Sequence, residues 1–267
     1  MAAGVKLPRG SSAEKPGKAP DRVIHLYGLT EAPEPAPEFA RKLKGVDGTA
    51  AVEGIACGRF MCWISRVPQV EFAQELAKNM QDLDWLAAAT TRHQQVLSAI
   101  AERADVLPSR FGVEFLNEKS LREHIESREA DFHADLERIR GKEEWGVKVF
   151  ALPALAAPRN DKKIRTGKEY LQAKSALVRR VLNPAGPEFD ELNGMLESIA
   201  IEVAEGGKLA AATRDLQFHK TLLLKRTDRK KLANVVRAFS KKWKDRSRIE
   251  CTGPWPAFSF VSHSNSF

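Results

Sequence analysis

Glu129, His133 and Glu137 stand four residues apart. On a helix this spacing puts two carboxylates and an imidazole on one face, where they could chelate a divalent cation. The plain alternative is a solvated face on which Arg128, Arg138 and Arg140 act as ion-pair partners. We adopt that alternative, so no metal is expected. His93 follows Trp85 by eight residues, two turns along the same helical face. An imidazole there could serve as a general acid or base, but no third group in the sequence orients it, so it reads as a histidine at the edge of a helix core. Cys57, Cys62 and Cys251 are an odd number of thiols with neither the spacing of a disulfide framework nor that of a zinc site.

The phosphate-binding, zinc-protease and nucleophile devices are missing. Around Gly167-Lys168 the position of the first P-loop glycine is Lys162 and that of the Ser/Thr is Glu169, and no G-x-G-x-x-G, H-E-x-x-H, G-x-S-x-G or C-x-x-C occurs. No catalytic residue and no cofactor is expected, and the chain reads as a binding protein rather than an enzyme. Its basic clusters Lys225-Arg226, Arg229-Lys230-Lys231 and Lys241-Lys242-Trp243-Lys244 raise RNA binding as the alternative, because phosphate neutralisation needs such patches. Against it, Phe239 and Trp243 share the apolar stripe of Leu232 and Val236, which turns the rings to a core and the lysines to water.

Charge is divided unevenly along the 267 residues. Up to Glu144 there are 20 Lys+Arg against 23 Asp+Glu, and from Trp145 onward 23 against 12, for a total of +8. The second half is therefore the part that would attract an acidic surface. No stretch approaches the ~20 apolar residues of a membrane span and the N-terminus shows no signal-peptide core, so a cytosolic protein without membrane contact is expected.

The elements that would position these residues follow from periodicity. Residues 1–20 have the composition of a disordered basic arm. Val23–Leu29 is a strand; a short helical piece lies around Phe39–Leu43; Ala50–Cys57 and Phe60–Val67 form a hairpin about Gly58-Arg59; a long amphipathic helix runs from Val70 to Arg103; and Arg110–Leu116 is the fourth strand. A single helix is predicted from Glu118 to Arg140, stopped by Gly141 and bridging the halves. Beyond it come a strand at Trp145–Phe150, helices carrying Tyr170–Val181 and Phe189–Val203, strands at Lys208–Arg214 and Phe218–Lys225, a helix with Leu232–Trp243, and a closing strand at Ile249–Val261. The order β-α-β-β-α-β thus occurs twice. The expected fold class is α+β, two tandem ferredoxin-like domains joined by an amphipathic helix, with an N-terminal domain at 21–117, the connecting helix at 118–144 and a C-terminal domain at 145–267.

Several distinctive segments keep a fixed order: Leu26-Tyr27-Gly28, Trp85 with His93 and Val96-Leu97, Leu107-Pro108-Ser109-Arg110-Phe111-Gly112, Glu144-Trp145-Gly146-Val147-Lys148-Val149, Gly167-Lys168-Glu169-Tyr170-Leu171, and Thr252-Gly253-Pro254-Trp255-Pro256-Ala257-Phe258-Ser259-Phe260. Together they resemble the gas vesicle accessory proteins F and L, from about Arg22 to Val261. The departures are Ser109, where the family has leucine before R-F-G, and Ala257-Phe258, where it has proline-tyrosine. The resemblance implies a non-enzymatic minor component of the gas vesicle that contacts the small hydrophobic shell protein, and other accessory proteins, and keeps the shell protein from aggregating. Trp255, Phe258 and Phe260 are then the first candidates for partner contact, as aromatics on a proline-bearing edge strand, and Lys230, Lys231, Lys241 and Lys242 are candidates for steering an acidic partner. For the aromatic tail the alternative is that it completes its own sheet.

Overall fold

The computed structural model describes residues 21–32, 37–152, 187–205 and 215–261. The arm at 1–20, the helix at Tyr170–Val181, the Gly167–Leu171 motif and the strand expected at Lys208–Arg214 lie outside the described residues. The apolar, β-branched run near the start is β1 (Arg22–Glu31), and it is buried along nearly its whole length. Such a strand must be covered on both faces. It pairs antiparallel with β3 (Phe60–Pro68), itself hairpinned to β2 (Glu53–Cys57) across Gly58-Arg59. One extra residue at Tyr27 shifts the β1–β3 register between Leu26 and Gly28, a bulge that re-aims the side chains around it.

The fourth strand is not the single run expected at Arg110–Leu116. It is two short pieces, β4 (Leu107–Pro108) and β5 (Glu114–Phe115), which pair with opposite ends of β1. The sheet order is β2-β3-β1-β4. The expected long helix is likewise divided. A π-type turn (Val70–Gln74) and the short α1 (Leu76–Asn79) precede α2 (Leu83–Ala101), because the Asp82 side chain accepts from the amides of Asp84 and Trp85 and starts a new helix there. Ala89, His93, Val96, Leu97 and Ile100 of α2 cover one face of the sheet with Tyr27, Trp63 and Phe72.

The other face is covered by α3 (Glu118–Ser127) and α4 (Glu129–Ile139). One helix was expected here; the backbone breaks at Arg128 (φ −127°, ψ 21°). Leu121, Ile125, Phe132, Leu136 and Ile139 do share a core, as their spacing implies, but it is the core under Ile24, Leu26, Phe60 and Ile64. The pair is therefore part of the first half's interior and not a free connector. Leu223 of the second half joins the same cluster, and Arg138 of α4 bonds Glu202 of the second half at 2.6 Å, so this face of the first half meets the back of the second sheet.

That sheet has the order β7-β8-β6-β9, built from β6 (Lys142–Ala151), β7 (Glu202–Glu205), β8 (Leu216–Lys225) and β9 (Ser247–Trp255), all antiparallel. Its front face carries α5 (Pro187–Ile199) and α6 (Arg229–Lys242), whose Leu192, Leu196, Leu232 and Phe239 meet Val147, Val149 and Leu222. The helix expected to reach Val203 ends at Ile199, and Val203 enters β7. The closing strand stops at Trp255, six residues short of the expected Val261.

Candidate protein-binding surface

β9 ends in Gly253-Pro254-Trp255, and Pro256 follows it. Gly253 has φ +140°, and a Cβ there would meet the Trp145 ring at 2.8 Å and the Glu144 carbonyl at 2.9 Å, so only glycine fits. Past Trp255 the chain leaves the sheet, turning through Phe258 N–H to Pro256 O (2.8 Å) and Phe260 N–H to Ala257 O (3.2 Å). The turn drives Ala257 and Phe260 into the core formed by Leu29, Leu136 and Ile139. Phe260 is 1% exposed. Its aromatic ring therefore fills the protein's own interior and is not on offer to a partner in the folded chain. Phe258 is half-buried against the α2 cluster.

The tail is latched by one carboxylate. Ser259 donates its amide to Glu144 Oε2 (2.7 Å) and its hydroxyl to Oε1 (3.0 Å). Burial raises the Glu144 pKa, and the two bonds from Ser259 oppose that rise. With the tail anchored beneath it, Trp255 is left 37% exposed at the seam between the halves. It borders a cavity of about 170 Å³ whose apolar lining includes Ala101, Val106, Ile139, Pro254 and Pro256. Two ion pairs stand on the rim of the cavity, with Arg229 Nε 2.6 Å from Glu143 Oε1 and Arg226 2.8 Å from Asp105, while Lys142 on the same rim donates to the Arg138 carbonyl. On its other side Trp255 borders the outer face of α2 at Thr91, Gln94 and Ser98. A partly exposed indole beside a recess with apolar walls and ion pairs on its rim has the anatomy of an interface anchor.

Lys230, Lys231, Lys241 and Lys242 are all exposed, on α6. They do not join the aromatics in one site: α6 covers the front of the second sheet, whereas Phe260 lies in the cluster behind it. Lys231 pairs with Asp228 (2.8 Å), and Lys242 pairs with Glu191 (2.6 Å) while lying over the Phe239 ring.

The triplet at 129, 133 and 137 is rearranged. Glu129 is replaced by Glu31, from the end of β1, and the ligand atoms of Glu31, His133 and Glu137 lie within 4.8 Å of one another. Arg140 occupies the place a cation would take, bonding Glu31 Oε2 at 2.9 Å and Glu137 as well. That arrangement is the ion-pair face anticipated for Arg140, now with a partner from another element.

His93 has the orienting groups that were not visible along the chain. His25 Nε2 lies 2.9 Å from His93 Nδ1, His25 Nδ1 lies 2.6 Å from Glu114 Oε1, and His93 Nε2 faces Ser109 O at 3.1 Å. Only a donor can face a carbonyl, so His93 is protonated at Nε2 and accepts at Nδ1 from His25. Burial pushes His25 down to about 3, against a smaller opposite pull from Asp47. It does the same to His93, also to about 3, and raises Glu114 to about 9. The chain is therefore neutral, with the Glu114 carboxyl donating to His25. His25 and His93 are 0% and 3% exposed, so this chain ties β1, α2 and β5 together out of reach of a substrate. The one sequence signal was a histidine inside the apolar run Val23-Ile24-His25-Leu26, a polar residue that a buried strand tolerates only with partners.

Comparison with known proteins places this architecture. A family model described as gas vesicle synthesis protein GvpL/GvpF matches residues 23–262. Gas vesicle protein L of Streptomyces sp. (strain CB03234) is 26% identical over 262 residues, covering 90% of this chain and 93% of that protein. The crystal structure of gas vesicle protein GvpF from Anabaena sp. PCC7120 superposes with a TM-score of 0.65 at 20% identity, over 92% of this chain and 98% of that one. GvpF from Microcystis aeruginosa gives 0.63 at 19%, over 90% and 99%. At such identities the two structures speak for the shared mixed α/β fold with antiparallel sheets.

Proposed function

The chain belongs to the GvpL/GvpF family of gas vesicle synthesis proteins, and from that premise we propose that it is a non-enzymatic accessory protein that binds the hydrophobic shell protein of the vesicle and holds it from aggregating before it polymerises. A shell subunit with exposed apolar surface and open strand edges pairs with any copy it meets unless another protein covers those groups. The observation that carries the reading is Trp255, presented at the seam of the two halves by a tail whose Phe260 is locked in the core. The recess beside it accepts an apolar side chain, and the Arg229–Glu143 and Arg226–Asp105 pairs on its rim can be covered without leaving those four charges unpaired.

We also read each sheet with its helices as a ferredoxin-like unit, supported by the strand order 2-3-1-4 counted within each half. In this arrangement the two sheets are platforms that hold the seam residues in register. Other accessory proteins of vesicle assembly are the further partners of this reading.

The test is co-expression with the shell protein. Its soluble fraction is expected to rise several-fold with this chain present, and no rise would sink the proposal. Trp255→Ala should lower the thermal midpoint by no more than about 4 °C, less than the loss of a fully buried ring, since 37% of the residue already faces water. Capture of the shell protein by the same variant should weaken by ~30-fold or more, the consequence of losing a central aromatic anchor worth ~2 kcal/mol.

A further inference from the structure

α6 reads Arg-Lys-Lys-Leu-Ala-Asn-Val-Val-Arg-Ala-Phe-Ser-Lys-Lys, six cations without one carboxylate. At ~100° per residue, Lys230, Arg237 and Lys241 fall within ~40° of one another, opposite the buried Leu232, Val235 and Phe239. The cations on the flanks of the helix are paired: Arg229 with Glu143, Lys231 with Asp228, Lys242 with Glu191. The outermost three are not, since among the described residues none has a carboxylate within 4.0 Å, and Arg237 Nη1 donates to the neutral Asn234 Oδ1 at 3.3 Å. The helix also starts against its own dipole. Three cations occupy its first turn, where the exposed amides favour anions, and Lys230 has no compensating partner there. Lys241 lies in the last turn, where a cation suits the dipole, so that anomaly is confined to Lys230; what sets the whole row apart is that its outward charges have no carboxylate beside them among the described residues.

We propose that the outer row Lys230–Arg237–Lys241 is a docking site for an acidic helical segment of a protein partner in vesicle assembly, an inference that rests on the assembly reading above. The row is straight and about 17 Å long, eleven residues at ~1.5 Å each. Carboxylates repeating every three to four residues on a partner helix meet it at matching pitch. Nucleic acid fits less well, because the aromatic residues of this helix and its end, Phe239 and Trp243, are turned into the core and offer no ring for a base to stack on.

The probe is a fluorescent amphipathic helical peptide about 21 residues long with glutamate along one face, titrated with the full chain and followed by anisotropy. Binding should weaken at least tenfold in the triple variant Lys230→Glu, Arg237→Glu, Lys241→Glu. It should stay within threefold in the charge-matched control Lys42→Glu, Lys78→Glu, Lys119→Glu, whose lysines sit on other elements. Raising salt to ~0.5 M should abolish the difference between the two. Lys230→Glu agrees with the helix dipole while Lys241→Glu opposes it, each with a small effect at an exposed position, so circular dichroism and a thermal melt of the variant accompany the titration. Equal weakening in both triples, no weakening in the row variant, no binding of the peptide at all, or tighter binding of oligouridylate or phosphatidylserine vesicles than of the peptide would each overturn the assignment. Co-expression separates this from the assembly reading. If the wild-type chain fails to solubilise the shell protein, that reading falls; if it succeeds while the row variant binds peptide unchanged, only the row is wrong.

Discussion

Phe260→Ala is expected to destabilise the protein by about 3–5 kcal/mol, the range for removing a buried aromatic side chain whose cavity cannot fully collapse. The site is constrained on every side. Phe260 shares a buried cluster with Leu136 and Ile139 of α4 and Leu29 of β1, while the next residue towards the sheet, Ser259, is held by Glu144 of β6. The ring thus fastens the C-terminal tail to the first half, and its loss should release Ala257 with it. A thermal midpoint lowered by about 6 °C or more, at roughly 2–4 °C per kcal/mol for a chain of this size, is the expected reading. Phe260→Leu should cost much less, because most of the volume is retained. The contrast with Trp255→Ala is the decisive comparison: five residues apart, one ring should govern stability and the other capture. Equal midpoints for wild type and Phe260→Ala would show that the tail is not a structural tie.

The second large effect is a pH dependence written into the His25–His93–Glu114 chain. Glu114 is raised by burial to about 9, above the ordinary carboxyl range. The unfolded chain then ionises this group while the folded one keeps it protonated, so its stabilisation is full below about pH 4.5 and is lost as pH rises towards 9. His25 and His93 are depressed to about 3. Their stabilisation is full above about pH 6.5 and is lost as pH falls, because the unfolded imidazoles take up protons that the folded ones refuse. Between pH 4.5 and 6.5 two histidines outweigh one carboxyl, so the contribution of the chain should peak near pH 6.5. Each group contributes a slope of up to ~1.4 kcal/mol per pH unit, which puts the alkaline loss at about 2–3 kcal/mol by pH 9. Glu114→Gln keeps a donor for His25 Nδ1 and removes the ionisation. Urea midpoints at pH 5, 6.5 and 8.5 should therefore fall on both sides for the wild type but only on the acid side for Glu114→Gln. An unchanged alkaline loss in the variant would mean that Glu114 is not its source.

Much of the framework could be read along the chain because burial leaves a periodic trace. β1 and β3 are covered on both faces and appear as largely apolar runs, Val23–Leu29 broken only by His25 and Gly28 and Phe60–Ile64 not at all; α6 is covered on one and appears as a 3.6-residue stripe, with Phe239 and Trp243 inside as expected. Breaks in that pattern were harder to see. The divide between α3 and α4 leaves the apolar spacing of Leu121 through Ile139 intact, and Asp82 starts a helix in the middle of a stripe that continues through it. β7 is four residues long and half-buried, too short for alternation to show.

What the sequence alone determined is the α+β class, the membership implied by the motifs between Arg22 and Val261, the basic second half and the core faces of the helices, because each depends on residue type and on neighbours within a few positions. The tertiary structure decided which groups meet across long separations. It put Glu31 in place of Glu129 beside His133, brought His25 and Glu114 to His93, and divided the aromatic tail into a surface ring at Trp255 and a buried one at Phe260. Such pairings depend on how sheets and helices stack, and stacking energy comes from apolar area with no direction along the chain, so no local spacing records it.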